Sequence, residues 1–351
     1  MTFSGGTEGT AVAVTPAAFA AVARDGNRSI VVESLTRRFG ELLAVDAIDL
    51  EVPSGEIFGF LGPNGAGKTT LVKMLTTILA PTSGRATVAG YDVTTESEKV
   101  RAVAGVALQE IGLDALMTAR ELLVLQARLF GIEAREAARV AERLLRTVDL
   151  ADVDPRKRTG RYSGGMRRRL DLALALVHTP RVLFLDEPTT GLDPASRAAI
   201  WDEVRRLNRD DGVTVFLTTQ YLEEADRLAD RVAIIDRGRI VAWGTPAELK
   251  RTIGDEAVSL TFADAEQAAS ADEALRPLTG QRQRSGRELV LYFDSAAMVV
   301  PDVVRRLDEA GLRPQDLSLK QPTLDDVFLR ATGGRLVGGE DIGSDAPEQA
   351  S

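Results

Sequence analysis

A chain of 351 residues has room for one large domain or two ordinary ones, and 44% hydrophobic with 27% charged residues is a globular composition. The net charge of −9 argues against a nucleic-acid or anionic-membrane surface, and the absence of cysteine excludes disulfides and thiolate metal sites. The one histidine, His178, excludes a histidine metal cluster and any Ser-His triad not built on it.

Residues 1–28 are rich in Ala, Gly and Thr without periodicity and read as a disordered arm. Their stretch "AVAVTPAAFAAVA" is broken by Pro16 and lacks the basic flank of a secretion signal. From Ser29, short apolar strands alternate with helices: "SIVVESL", "AIDLEV" and "EIFGFLG", then a helix from Gly67 to about Leu79. Thr118 and Glu121 form a capping box opening the helix in "TARELLVLQARLFG". In "REAARVAERLLRTV", Val140, Leu144 and Val148 share one helical face. Strands recur at "RVLFLDE", "VTVFLTT" and "RVAIID". Together they predict an α/β fold with a largely parallel sheet covered on both sides.

After about Gly254 the segments "AVSLTF", "ADEALRPL", "ELVLYF", "MVVPDVVRRLDEAG", "LSLK" and "LDDVFLRATG" read as a small α+β unit. Residues 334–351, Gly-rich and acidic, read as a disordered tail. No apolar run approaches the roughly 20 residues that span a bilayer, so the chain is expected to be soluble and cytoplasmic.

Three motifs carry the chemistry. "GFLGPNGAGKTTLVKML" holds Gly62, Pro63, Asn64, Gly65, Ala66, Gly67, Lys68 and Thr69, a full G-x-x-x-x-G-K-T between a strand and a helix, followed by Thr70. Its glycines let backbone N–H groups wrap a polyphosphate, Lys68 reaches the β- and γ-phosphates, and the Thr69 hydroxyl is placed to ligate Mg²⁺. "RVLFLDEPTTGLDP" ends a strand in Asp186 and Glu187, one carboxylate for Mg²⁺ and the next to polarise an attacking water. In "YSGGMRRRLDLALALVHTP", Ser163 caps a helix opened by Gly164 and Gly165, with Met166, Leu170, Ala173, Leu174 and Val177 on its apolar face. That is a second anion-ready helix terminus, and the Arg167–Arg169 run beside it reads as a solvated face rather than an RNA patch.

With these motifs in this order, 118 positions from Lys68 to Asp186 and 23 from Ser163 to Asp186, the chain resembles the ATP-binding subunit of an ABC transporter. The resemblance implies a P-loop NTPase domain of the ABC ATPase kind over residues 29–253, with a helical signature subdomain at about 112–178. It also implies a head-to-tail homodimer enclosing two ATP with Mg²⁺, in which the signature Ser163-Gly164-Gly165 of one copy meets the γ-phosphate held by the other. Phe39 matches the aromatic that stacks on adenine. Gln109 matches the loop glutamine that contacts Mg²⁺ and water, and Asp193 in "GLDP" matches the residue coupling the two sites. The unit at 254–333 resembles the accessory domain of daunorubicin-resistance exporters.

One position departs from the family pattern. Gln220 in "TTQYLEEAD" stands where a histidine usually touches the γ-phosphate, and a neutral amide carries neither proton nor charge. His178 is too far along the signature helix to substitute.

The expectation is therefore an ATPase subunit, peripheral on the inner face of the membrane, powering a separately encoded permease that exports a hydrophobic drug or antibiotic. The alternative is a low-turnover ATP-gated dimerisation or regulatory module. A role in translation or DNA repair calls for paired cassettes or a long coiled-coil insertion, and neither pattern occurs.

Overall fold

The computed structural model describes residues 28–110, 112–254, 256–279 and 281–332. The expected arm (beyond Arg28) and the tail at 334–351 lie outside the described residues.

Strands β1 (Arg28–Phe39) and β2 (Leu42–Pro53) pair antiparallel across Gly40-Glu41. Two residues are enough for a hairpin and too few for a crossover, so neither strand enters a parallel sheet, contrary to the simple alternation read from the sequence. Strands β3 (Ile57–Leu61), β4 (Ser83–Val88) and β5 (Tyr91–Asp92) follow. β4 and β5 complete a separate antiparallel sheet of order β2-β1-β4-β5.

β3 instead lies inside a six-stranded sheet with β6 (Ala104–Ala107), β7 (Val182–Asp186), β8 (Thr214–Thr219), β9 (Arg231–Asp236) and β10 (Arg239–Gly244). Its order is β10-β9-β3-β8-β7-β6, parallel except for β10.

Alternation along these strands divides the core. Ile57, Leu183, Leu185, Val215 and Leu217 face one side, where α3 (Ala119–Leu129), α4 (Ala134–Thr147), α5 (Gly164–Ala175) and α6 (Pro194–Asp211) cover them. Phe58, Phe60, Phe184 and Phe216 face the other, against α1 (Lys68–Leu75) and the antiparallel sheet. Phe216 stacks on Phe58 at 5.7 Å between centroids and touches Phe60 at 5.6 Å and Phe184 at 5.7 Å, so three adjacent strands are locked in register. α1 stops four residues before the expected Leu79. The Thr76 hydroxyl bonds back to the Val72 carbonyl at 2.8 Å, and Thr77 takes φ +62°.

The Thr118 capping box is present, and Val140, Leu144 and Val148 are buried together. α2 (Ser97–Val103) precedes β6; α7 (Leu222–Leu228) follows β8 and α8 (Pro246–Arg251) follows β10.

The remaining strands, β11 (Glu256–Thr261), β12 (Arg282–Ser285), β13 (Glu288–Phe293) and β14 (Asp316–Lys320), form an antiparallel sheet of order β12-β13-β11-β14. Helices α9 (Ala265–Leu275) and α10 (Ala296–Glu309) pack on one face of it. The last described helix, α11 (Leu324–Thr332), returns to the main body. Its Leu324, Val327 and Phe328 share a core with Leu61, Ala225, Val232, Ile234, Leu249 and Ile253.

Candidate active site

In a parallel sheet the carboxyl ends of the strands gather chemistry, because backbone turns and helix amino termini face the same side. β3 ends at Leu61 and the phosphate loop begins, with the Gly62 N–H donating to the Thr219 carbonyl at 3.3 Å. A Cβ on Gly62 would lie 2.4 Å from the Ile235 carbonyl oxygen, and one on Gly67 would lie 2.4 Å from that of Ala44. Gly67 also takes φ +111°, so both positions exclude any side chain. Asn64 and Gly65 are exposed, Pro63 and the Thr69 and Thr70 pair half-buried, and Ala66 buried.

Lys68 is buried and its ammonium donates to the carbonyls of Gly62 at 2.7 Å and Pro63 at 3.1 Å. It also pairs with Glu187 Oε1 at 3.2 Å. Burial pushes the Lys68 pKa down and the Glu187 carboxylate opposes that shift. The other Glu187 oxygen accepts from Gln109 Nε2 at 3.2 Å and from the Thr190 hydroxyl at 3.3 Å. Three donors therefore converge on one carboxylate, Lys68 and Gln109 from distant parts of the chain and Thr190 from the turn that follows it.

Glu187 sits in the left-handed region, φ +49°, which costs a non-glycine residue about 1–3 kcal/mol. Its N–H is held by the Thr218 carbonyl at 3.0 Å and the Thr218 hydroxyl at 3.2 Å. The same hydroxyl donates to Asp186 Oδ1. Asp186 is fully buried, and its Oδ2 has no protein partner among the described residues.

Gln220 lies half-buried directly after β8, one residue beyond the carbonyl that receives the Gly62 N–H. It thus stands beside the loop's entrance. Phe39 is 43% exposed with the Arg37 guanidinium 4.5 Å above its ring, so it is no core residue. Asp193 is exposed and caps α6, accepting from the Ser196 N–H at 3.0 Å and its hydroxyl at 2.6 Å. Those bonds hold its carboxyl below the usual range.

Ser163 caps α5, accepting from the Met166 N–H at 3.2 Å. Among the described residues no hydrogen bond joins Ser163, Gly164 or Gly165 to the phosphate loop; Gly165 instead packs so closely on Ser196 that a Cβ would lie 2.7 Å from its hydroxyl.

Residues 45–190 match the ABC transporter family and residues 244–332 match the C-terminal domain of DrrA1-3-like ATP-binding proteins. A daunorubicin resistance ATP-binding protein of Streptomyces coeruleorubidus is 48% identical over 306 residues, covering 87% of this chain and 96% of that protein. The chain belongs to the ABC transporter ATP-binding proteins.

A Nod factor export ATP-binding protein of Burkholderia thailandensis is 41% identical over 87% of this ABC ATPase and 97% of its own length. Among solved structures, a subunit of an ABC transporter complex from Clostridium perfringens is similar at TM-score 0.59 and 26% identity, over 65% of this chain and 93% of that one. A dimeric bacterial ABC transporter cassette is similar at TM-score 0.57 and 25% identity, over 62% and 98%. The ABC ATPase binds and hydrolyses ATP.

Beside the motifs of the ABC ATPase lie buried polar residues that the motif reading passed over. Arg168, read as part of a solvated arginine run, is 4% exposed. Its guanidinium donates to the carbonyls of Leu108 at 2.6 Å, Asp186 at 2.8 Å and Pro188 at 2.8 Å, and to Asp171 at 3.1 Å. The signal lay in the spacing: Arg168 shares a helical stripe with buried Leu172 and Ala175, and Asp171 follows at i+3. Glu224 is fully buried and accepts from the Thr189 hydroxyl at 2.9 Å and the Trp201 indole at 2.8 Å; burial raises its pKa. His178 is half-buried, stacked 4.0 Å from Phe130 with its Nε2 3.1 Å from the Ala104 carbonyl oxygen.

Asp171 gives the ABC ATPase a defined pH response. Burial lifts its carboxyl from 3.8 to about 6, against the pull of Arg168. The folded chain therefore holds this proton where the unfolded chain has lost it. The resulting stability, about 3 kcal/mol, is complete below pH ~4 and disappears as pH rises through ~6. In Asp171→Asn this component is absent. The difference in urea midpoint between native and variant protein should slope across pH 4 to 6.5, and a flat difference would contradict the assignment.

Proposed function

We propose that this ABC ATPase works as a head-to-tail homodimer enclosing two MgATP and powers a separately encoded permease that exports a hydrophobic drug or antibiotic. The observation that carries the reading is the buried Glu187 carboxylate, held between Lys68 and Gln109 at the mouth of the phosphate loop. Cargo and direction come from the relatives, whose names concern daunorubicin resistance and Nod factor export.

Mg²⁺ fits the residues present. The buried Asp186 Oδ2 lacks a partner among the described residues, and the Thr69 hydroxyl and Gln109 carbonyl complete a hard oxygen donor set of the kind Mg²⁺ shares with phosphates. When bound, Mg²⁺ supplies charge neutralisation at the β- and γ-phosphates.

Glu187 takes a proton from the attacking water as its oxygen bonds the γ-phosphorus. The bond to the β,γ-bridging oxygen breaks, giving ADP and phosphate. Lys68 moves from the loop carbonyls to the phosphates, Gln220 donates its amide N–H to a γ-phosphate oxygen, and Phe39 stacks on adenine. The Ser163-Gly165 turn of the second copy covers the γ-phosphate and Asp193 contacts the opposing site. No helix among the described residues is long and apolar enough to cross a membrane, so attachment to the inner membrane face is assigned to the permease.

Inside-out vesicles carrying the chain together with its separately encoded permease test this. ATP-dependent daunorubicin uptake is expected, and loss of uptake with Lys68→Met. ATP-driven dimerisation without measurable phosphate release would replace the transport reading with a low-turnover regulatory module.

A further inference from the structure

The buried Arg168 guanidinium binds the carbonyls on both sides of Glu187 and the carbonyl just before Gln109, all from the second turn of the signature helix. We propose that Arg168 is a positioning residue that transmits the placement of the signature turn to the hydrolytic residues of its own chain. This rests on the homodimer reading above. The nucleotide that α5 senses belongs to the second copy, whereas the carboxylate that Arg168 positions acts on the nucleotide of its own chain. Arg168 thereby couples the two ATP sites.

Three features support a transmitting role. First, the three carbonyls come from separate places: Leu108 follows β6, while Asp186 and Pro188 bracket the end of β7. A planar fork of five N–H donors satisfies them together, which the point charge of lysine cannot do. Second, Glu187 lies between two of those carbonyls in a strained left-handed conformation, so its direction depends on how the flanking peptides are held. Gln109, anchored next to the third carbonyl, bonds the same carboxylate at 3.2 Å. Third, α5 is short and stiff. Ser163 and Arg168 are separated by five residues, roughly 7.5 Å of helix, and Gly165 is wedged against Ser196. A shift of the first turn therefore moves the guanidinium with it.

The test uses the full chain and three readouts: equilibrium binding of a fluorescent ATP analogue, steady-state phosphate release, and its Hill coefficient. For Arg168→Lys, binding should stay within about twofold because the phosphate loop is untouched, and kcat should fall at least about tenfold. The Hill coefficient should drop towards one. Asp171→Asn, which leaves Arg168 and its three carbonyl partners in the sequence, should retain the native Hill coefficient. A native chain that stays monomeric with ATP and has a Hill coefficient of one would remove the underlying homodimer reading whatever Arg168 does.

Native cooperativity persisting in Arg168→Lys, or its equal loss in Asp171→Asn, would overturn the coupling. A purely structural role predicts a lower melting temperature, with binding and turnover falling together. If Arg168→Lys does not fold, hydrogen exchange on the native chain decides. With ADP and vanadate, residues 164–168, 108–110 and 186–189 should gain protection together, and protection confined to 164–168 would sink the proposal.

Discussion

Glu187→Gln is expected to lower ATP turnover by at least about 100-fold while leaving ATP affinity within roughly threefold. The substitution keeps the size of the side chain, so the buried site need not repack. Its amide oxygen still accepts from Lys68, now 3.2 Å from Glu187 Oε1. What disappears is the ability to take a proton from water, a contribution of about 10²–10⁴ in rate for a positioned general base. Affinity should be spared because, in the proposed mode of binding, the loop amides, Lys68 and the helix amino terminus hold the triphosphate. Phosphate release and equilibrium ATP binding should be measured on the same preparation. Turnover at the native rate would show that Glu187 is not the base, and turnover and binding lost together would show that it is needed to form the loop.

Gln220→His is expected to raise turnover roughly tenfold to a hundredfold, the value of restoring one charge-assisted contact of about 1.5–3 kcal/mol to the γ-phosphate. Gln220 is half-buried at the end of β8, next to the Thr219 carbonyl that anchors the first residue of the phosphate loop. An imidazole therefore enters where the amide already stands. The gain should appear in kcat rather than in ATP affinity, and it should fade as pH rises and the imidazole loses its proton. An unchanged or lower kcat at pH 7 would mean that the site is built around the amide.

Glycine spacing, the Asp186-Glu187 strand end and the Ser163 cap were legible because each is a local pattern with a local cause. The same holds for the Thr118 capping box, which the structure shows with both of its reciprocal bonds. The antiparallel sheet was not legible in the same way. A short strand says nothing of its partner, and β1 and β2 became a hairpin only through the two-residue connection.

Arg168, Thr218 and Glu224 escaped for a different reason. Each acts through a partner 15 or more residues away: Arg168 on Asp186, Thr218 on Asp186, Glu224 on Trp201 and Thr189. A charged residue in a run of arginines looks solvated until the carbonyls that surround it are known. Gln220 shows the converse, since both its position and the loss of a charge there are read from the sequence alone.

The return of α11 to the main body bears on how this chain can be divided and recombined. Leu324, Val327 and Phe328 fill a wall that also contains Leu61, at the entry to the phosphate loop, and Ala225, on the helix after Gln220. Cutting the chain before β11 would uncover that wall as a contiguous apolar patch, inviting aggregation. A hybrid that takes everything from β11 onward from a relative must import matching side chains on α7, β9 and α8 as well. The carboxyl-terminal unit and the body it packs on are thus joined through a shared core, and a change of side chain on one side of it constrains the other.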